Sequence, residues 1–344
     1  MTQVIFDEKF DRKGMKEKLM DLPHQIERGF LMGKSTKIKT STKLQNVVVS
    51  GMGGSAIAGD LLNDLLNNEL RVPIFVNRGY NLPSFVDKNT LLFISSYSGN
   101  TEETVNAFTE GLKKNANIIV FTSGGKILKN AKRKNIPFIM FPPGYPPRCA
   151  LGFSFFSMLG VLKNIFRISI TNNDIKNLKR QLYNQQKKLL RLPNKITELA
   201  QQLTNKLITV YISSNLASVA LRWQTQLNEN SKNYLHINFI PEANHNEIVG
   251  LYFPKNIIKK IHIIFLRSKY FENRRIKKRF DITFELLKSS ISDTTTIYAK
   301  GNTKLEEMFS LIYDGDFLSY YLALLNKIDP TDIKRIELLK EKLK

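Results

Sequence analysis

Cysteine is almost absent from this chain. Of 344 residues only Cys149 carries a thiol, so no internal disulfide is possible, which fits a reducing cytosol. A lone cysteine reads as a small buried hydrophobe before it reads as a nucleophile. Long apolar runs are missing too. The longest, 151–165, is interrupted by Ser154, Ser157 and Lys163; it falls short of a membrane span and is expected to be a buried helix. The first ten residues, MTQVIFDEKF, carry acidic side chains and no apolar segment, so no secretory signal is expected. The four histidines and one cysteine form no HExxH pair and no cluster at ligand spacing. Glu242 and Glu247 lie near His245, but without such a pattern neither a metal nor a cofactor is expected.

Acidic residues are scarce. There are 30 against 52 Lys and Arg, a formal net charge of +22. A nucleic-acid site needs a concentrated basic stripe with aromatic stacking partners. Here the basic residues run along the whole chain, with short local runs at 129–135 (KNAKRKN) and 274–279 (RRIKKR), in a sequence rich in Asn, Ile and Lys. This diffuse excess is expected to be a solvated surface that attracts anionic substrates in general. Neither nucleic acid nor a membrane is an expected partner.

What is present describes a globular protein of two domains, with 42% hydrophobic and 24% charged residues. Apolar runs at 46–51, 73–77, 90–96, 117–123 and 137–141 are rich in β-branched and aromatic residues. Continuous runs, unlike alternating ones, predict strands covered on both faces. Helical stretches at 56–66, 102–112 and 126–134 lie between them, so a doubly wound parallel sheet with right-handed crossovers is expected. The segment before residue 46 reads as helical and peripheral. After a polar helical stretch at 173–206, the plan restarts with a strand at 207–214 and a helix at 217–228. Setting the two strand–helix segments side by side puts Ser55 opposite Ser218, without the glycines of the first copy. Strands at 236–240, 261–267 and 295–301 complete a second, related domain. The fold class is therefore α/β with two parallel-sheet subdomains, 1–170 and 171–344, the division falling somewhere between 168 and 205.

Two strand-to-helix turns carry chemistry. GMGGSAIAGDLL (51–62) follows the first strand; its glycines let backbone N–H groups approach an anion at a helix N-terminus. It is neither a Walker loop nor a GxGxxG fingerprint. TLLFISSYSGNTEET (90–104) offers Ser95, Ser96, Ser98 and Thr101. Hydroxyls donate to a phosphate ester without the strong hold of an arginine cluster. An ordinary Ser/Thr helix cap is the duller reading, yet one cap does not need four hydroxyls in seven positions.

SSYSGNTEET resembles the phosphate loop of the sugar isomerase (SIS) domain. GMGGSAIAGD, PPGYPPRCALG (142–152), QLNENSK (226–232), ANHNEIVG (243–250) and FLSYYLALLNKIDP (317–330) resemble the successive motifs of the bifunctional phosphoglucose/phosphomannose isomerases. The likeness runs in order over nearly the whole chain. It implies two SIS-type, flavodoxin-like subdomains. It further implies a hexose 6-phosphate held at its phosphoryl end by Ser96, Ser98 and Thr101, with Gly53, Gly54 and Ser55 near the sugar. By the same resemblance Glu229 is the base, Arg148 lies near the reacting carbons, His245 opens the ring and Lys327 contacts substrate. In that family the histidine comes from the neighbouring subunit, so a homodimer is implied; the lone cysteine and the lack of a secretory signal make the cytoplasm its expected compartment.

The implied chemistry is self-consistent. Aldose–ketose interconversion opens the sugar ring, then moves a proton between neighbouring carbons. One carboxylate can shuttle that proton through a cis-enediol, and a positioned base contributes about 10²–10⁴-fold in rate. Histidine suits ring opening near neutral pH, and a guanidinium stabilises the charge that grows on the enediolate oxygen. His236 and His262, in strand-like runs, are expected to be structural. The rival reading is a non-catalytic sugar-phosphate sensor, which would keep the hydroxyl turn but have no use for Glu229 and His245.

Overall fold

The apolar runs become strands because each is covered on both sides. In the computed structural model, which describes residues 6–38, 43–291 and 293–343, the chain forms two units. One comprises residues 21–180; the other joins the residues up to Met20 to those from Gln181 onward. Part of the helical expectation before residue 46 falls on 39–42, outside the described residues. The first helix, α1 (Met15–Met20), belongs to the second unit. The N–H groups of Met15 and Lys16 donate to the Asp11 carboxylate at 2.6 and 2.9 Å, which satisfies donors that a helix start leaves open.

The first unit runs α2 (Leu22–Ser35), β1 (Asn46–Ser50), α3 (Ile57–Leu66), β2 (Ile74–Asn77), β3 (Thr90–Ser95), α4 (Glu102–Lys113), β4 (Asn117–Thr122), α5 (Gly125–Arg133), β5 (Phe138–Met140) and α6 (Leu151–Ile165). Its five strands are all parallel in the order β2-β1-β3-β4-β5. Every residue of β3, the central strand, is buried. Val48, Leu92, Ile94, Ile118 and Val120 pack with Phe108 of α4 and Ile127 of α5 in one apolar cluster. The expected apolar helix is α6, buried at every residue from Leu151 to Leu162.

Helix α7 (Asn172–Leu190) carries the chain from one unit into the other. The expected helical stretch 173–206 is in fact two helices. Pro193 has no N–H to donate and disfavours a helical Leu192; Asn194 then caps α8 (Lys195–Gln202) through the N–H groups of Ile196 and Thr197. The second unit continues with β6 (Leu207–Ser213), α9 (Ala217–Gln226), β7 (Leu235–Ile240), α10 (Lys255–Ile258), β8 (Ile261–Arg267), α11 (Arg274–Leu287), β9 (Asp293–Tyr298), α12 (Lys304–Leu325) and α13 (Lys334–Lys342). Its sheet is parallel in the order β7-β6-β8-β9, the same winding with one strand fewer. The division between units thus falls inside α7, not at 170/171. The N-terminal segment joins the second unit because α1 packs on α12 and Phe6 meets Tyr321 edge-on at 5.1 Å. Among the described residues, no helix is long and apolar enough to cross a membrane.

Candidate active site

In the first unit the winding direction reverses between β1 and β3, and turns leaving such a pair open a crevice at the carboxyl ends of the strands. The turn after β1 lies in that position. Gly53 has φ +48°, a left-handed conformation that favours glycine, and a Cβ there would meet nothing within 4 Å, so the turn faces open space. Gly54 serves a close approach instead: a Cβ would lie 2.9 Å from the backbone N and Cα of Arg148. Ser55 Oγ accepts the Tyr97 N–H at 3.2 Å and ties this turn to the one after β3.

That second turn brings the hydroxyls together. Ser96 Oγ and Thr101 Oγ1 are 2.9 Å apart, and the Gly99 N–H donates to Ser96 Oγ at 3.1 Å. Ser96 is buried, Thr101 half-buried and Ser98 exposed. Thr101 occupies the N-cap position of α4, yet its side chain makes no capping hydrogen bond. The ordinary-cap reading therefore fails at the residue where it should hold.

Arg148 sits in a one-turn 3-10 helix, Pro147–Cys149, directly before α6, and is only 3% exposed. Two contacts that the sequence did not disclose fix this segment. Tyr97 Oη donates to the Pro142 carbonyl at 2.7 Å and accepts the Tyr145 N–H at 2.9 Å. Gln25 of α2 donates to the Cys149 carbonyl at 2.9 Å. Tyr145 in turn donates to Asp21 at 2.7 Å; burial first, and then that carboxylate, push its phenol up to about 12. A tyrosine inside a run of serines, SSYSG, was the available signal for the Tyr97 strap.

The second unit holds Glu229, Lys327 and His245. Beyond α9 the chain makes a single π-helical turn, Leu227–Ser231, a feature common at functional sites. Glu229 is half-buried in it, between exposed Asn228 and fully buried Asn230. Asn230 donates to Ser319 Oγ of α12 at 2.9 Å. Three residues of α9 lock the helix to α12. Arg222 makes a two-pronged pair with Asp316 at 3.1 and 3.0 Å, Gln226 donates to the same carboxylate at 2.8 Å, and the Trp223 indole donates to the Leu311 carbonyl at 2.9 Å. Lys327 is exposed in the turn after α12, with φ +56°. Its neighbour Asn326 donates to the Ser231 carbonyl at 3.0 Å and to Asn233 at 2.7 Å, which brings the Lys327 and Glu229 segments together.

His245 is not with them. It is exposed on the short 3-10 helix Glu242–His245, after the carboxyl end of β7, whereas Glu229 precedes the amino end of that strand. A six-residue strand at about 3.3 Å per residue spans roughly 20 Å.

The turn after β8 repeats the hydroxyl turn after β3. The Phe271 N–H donates to Ser268 Oγ at 3.0 Å, as Gly99 does to Ser96, and Asn273 caps α11 five residues after that serine, as Thr101 precedes α4. Here the donors are already taken. The Glu307 carboxylate of α12 accepts from Ser268 Oγ and from the N–H groups of Lys269 and Tyr270 at 3.1 and 3.0 Å.

Two doubly wound parallel sheets, with a cluster of hydroxyls not spent on capping a helix at the switch point of one, define a SIS-domain protein. A family profile described as "Bacterial phospho-glucose isomerase C-terminal SIS domain" matches residues 193–343. A bifunctional phosphoglucose/phosphomannose isomerase of Caldicellulosiruptor bescii is 39% identical over 335 residues, 96% of this chain and 98% of the relative. Its counterpart from Aquifex aeolicus is 33% identical over 89% of this chain and 92% of its own. In fold, a hypothetical protein from Thermus thermophilus superposes with a TM-score of 0.76 at 16% identity, covering 97% of this chain and 91% of that one. The chain belongs to the bifunctional phosphoglucose/phosphomannose isomerase family. Membership in a family of enzymes disfavours the non-catalytic sensor.

Proposed function

We propose that the protein interconverts glucose 6-phosphate, and mannose 6-phosphate, with fructose 6-phosphate. Ser96, Ser98 and Thr101 grip the phosphoryl group, and the 53–55 turn lines the sugar. His245 moves a proton between the ring oxygen and the anomeric hydroxyl to open the ring. Glu229 then removes the proton from C2 of the open aldose and returns it to C1, while the hydroxyl proton passes from O2 to O1 and the electrons pass through a cis-enediol. Arg148 stabilises the negative charge on the enediolate oxygen, and Lys327 contacts substrate. Carbon 2 is planar in the enediol, so glucose and mannose phosphates share this one intermediate.

The observation that carries the reading is the cluster of Ser96 and Thr101 hydroxyls at the switch point, not spent on capping α4. The acting unit is a homodimer in which each site takes its His245 from the partner. The strand-length separation of Glu229 from the same chain's His245 supports this. So does the exposed apolar surface beyond that histidine, where Val249, Tyr252 and Phe253 are 73%, 61% and 74% exposed.

Turnover of fructose 6-phosphate by the purified protein tests the proposal. Activity is expected to persist in excess chelator and to fall by about 10²-fold or more in Glu229→Gln. Undiminished turnover in that variant would remove Glu229 as the base. Loss of activity in chelator would point to metal-dependent chemistry instead.

A further inference from the structure

Glu247 is the most heavily held carboxylate near the exposed histidine. Tyr211 of β6 donates its hydroxyl to Oε1 at 2.7 Å; His236 Nε2 lies 2.8 Å from Oε2, and Asn238 also donates to Oε2. His236 and Asn238 share one face of β7, and Tyr211 pairs in register with Asn238. Burial pushes the Glu247 carboxyl upward, but hydrogen bonds from His236, Asn238 and Tyr211 together outweigh it and hold the group below its usual value. Tyr211 is pushed well above the ordinary phenol range, by burial first and then by the carboxylate it faces.

Three sheet side chains committed to one loop residue fix that loop. A second tether lies three residues earlier: Asn244 donates to Thr283 Oγ1 of α11 at 2.7 Å and accepts from Arg279 at 3.4 Å. Between the two, the Asn246 side chain accepts the Glu247 N–H and donates to Glu242 at 2.8 Å. His245 stands between the tethers with its own side chain exposed.

We infer that Glu247 is a positioning residue for ring opening: with Tyr211, His236 and Asn238 it clamps the 242–249 loop so that His245 is presented at a fixed place and angle. The inference rests on His245 being the ring-opening group. Misplacing a reacting group by about 1 Å can cost 10²-fold, so a loop that carries such a group has reason to be held at both ends.

Anomerisation of glucose 6-phosphate isolates this step, because exchanging the two anomers requires the ring to open but no proton to leave carbon. It is measured by exchange NMR in Glu229→Gln dimers, in which isomerisation is blocked. Adding Glu247→Gln is expected to slow catalysed anomerisation about tenfold or more, while the dissociation constant for glucose 6-phosphate changes less than about twofold. Tyr211→Phe, which deletes one hydroxyl and little volume, is expected to give a smaller loss in the same direction. A general defect in folding would instead weaken sugar-phosphate binding in step with rate. If His245→Ala slows anomerisation and neither Glu247→Gln nor Tyr211→Phe does, the inference is overturned and the reading of His245 stands. If His245→Ala leaves anomerisation unchanged, both fall.

Discussion

At position 54 a single hydrogen atom separates function from strain. A methyl group there would press on the backbone of Arg148, which cannot swing aside as a side-chain tip could. Gly54→Ala is therefore expected to displace Arg148 and lower kcat at least tenfold, the scale of losing one oxyanion-stabilising donor being about 10²–10³. Steady-state kinetics on fructose 6-phosphate would check it; unchanged kcat would mean that the guanidinium does not serve the reacting carbons. The residues legible from sequence were those whose chemistry is local. Ser96, Ser98 and Thr101, three hydroxyls in one turn after β3, suit an anion whatever surrounds them. Tyr97 and Glu247 were not legible in the same way. Their partners lie far along the chain or on other strands, at Pro142 and Tyr145 for the first and at Tyr211 and His236 for the second. His236 was expected to be structural, and its tie to Glu247 gives that role a particular purpose.

Among the elements, the parallel strands were readable because burial on both faces leaves an uninterrupted apolar run. Helix α12 was not, for the opposite reason. It is buried at every residue from Leu305 to Leu324, but it places Glu306, Glu307, Asp314 and Asp316 within that stretch, so neither an apolar run nor an apolar stripe marks it. The acids are explained by their partners: Arg222 for Asp316, Lys300 and Gln185 for Asp314, the 268–270 turn for Glu307 and the Asn302 N–H for Glu306. The α9–α12 contact that carries Glu229 depends on Gly315. A Cβ there would lie 2.3 Å from Nε1 of Trp223, a fully buried side chain. The helix-propensity gain of Gly315→Ala, about 1 kcal/mol, is outweighed by overpacking of about 1–3 kcal/mol and by the strained indole bond to Leu311. The variant is expected to unfold at a lower temperature and to shift the emission of Trp223, the only tryptophan in the chain. Thermal unfolding monitored by fluorescence reads both.

For the whole molecule, the proposal that each site takes its His245 from the partner makes a quantitative demand. Glu229→Gln and His245→Ala dimers are each expected to be nearly inactive. Exchanging their subunits at random makes half the dimers mixed, each with one intact and one doubly altered site, so about a quarter of wild-type activity should return. No recovery after subunit exchange, verified by tagging one variant, would place both groups in one chain's own site. The net charge of +22, which the sequence left without a specific partner, favours capture of a dianionic ester from solution and should make the second-order rate constant fall as salt is added.

The two sheets descend through the same turns, but they have parted company over what those turns may receive. By laying the Glu307 carboxylate across Ser268, Lys269 and Tyr270, the second sheet carries its own permanent counterfeit of a phosphoryl group. A duplicated fold would ordinarily offer two berths for the same ester, with two rival poses. With those donors engaged from within, the turn after β8 is closed to such an ester, and the proposed berth is the turn that carries Ser96 and Thr101.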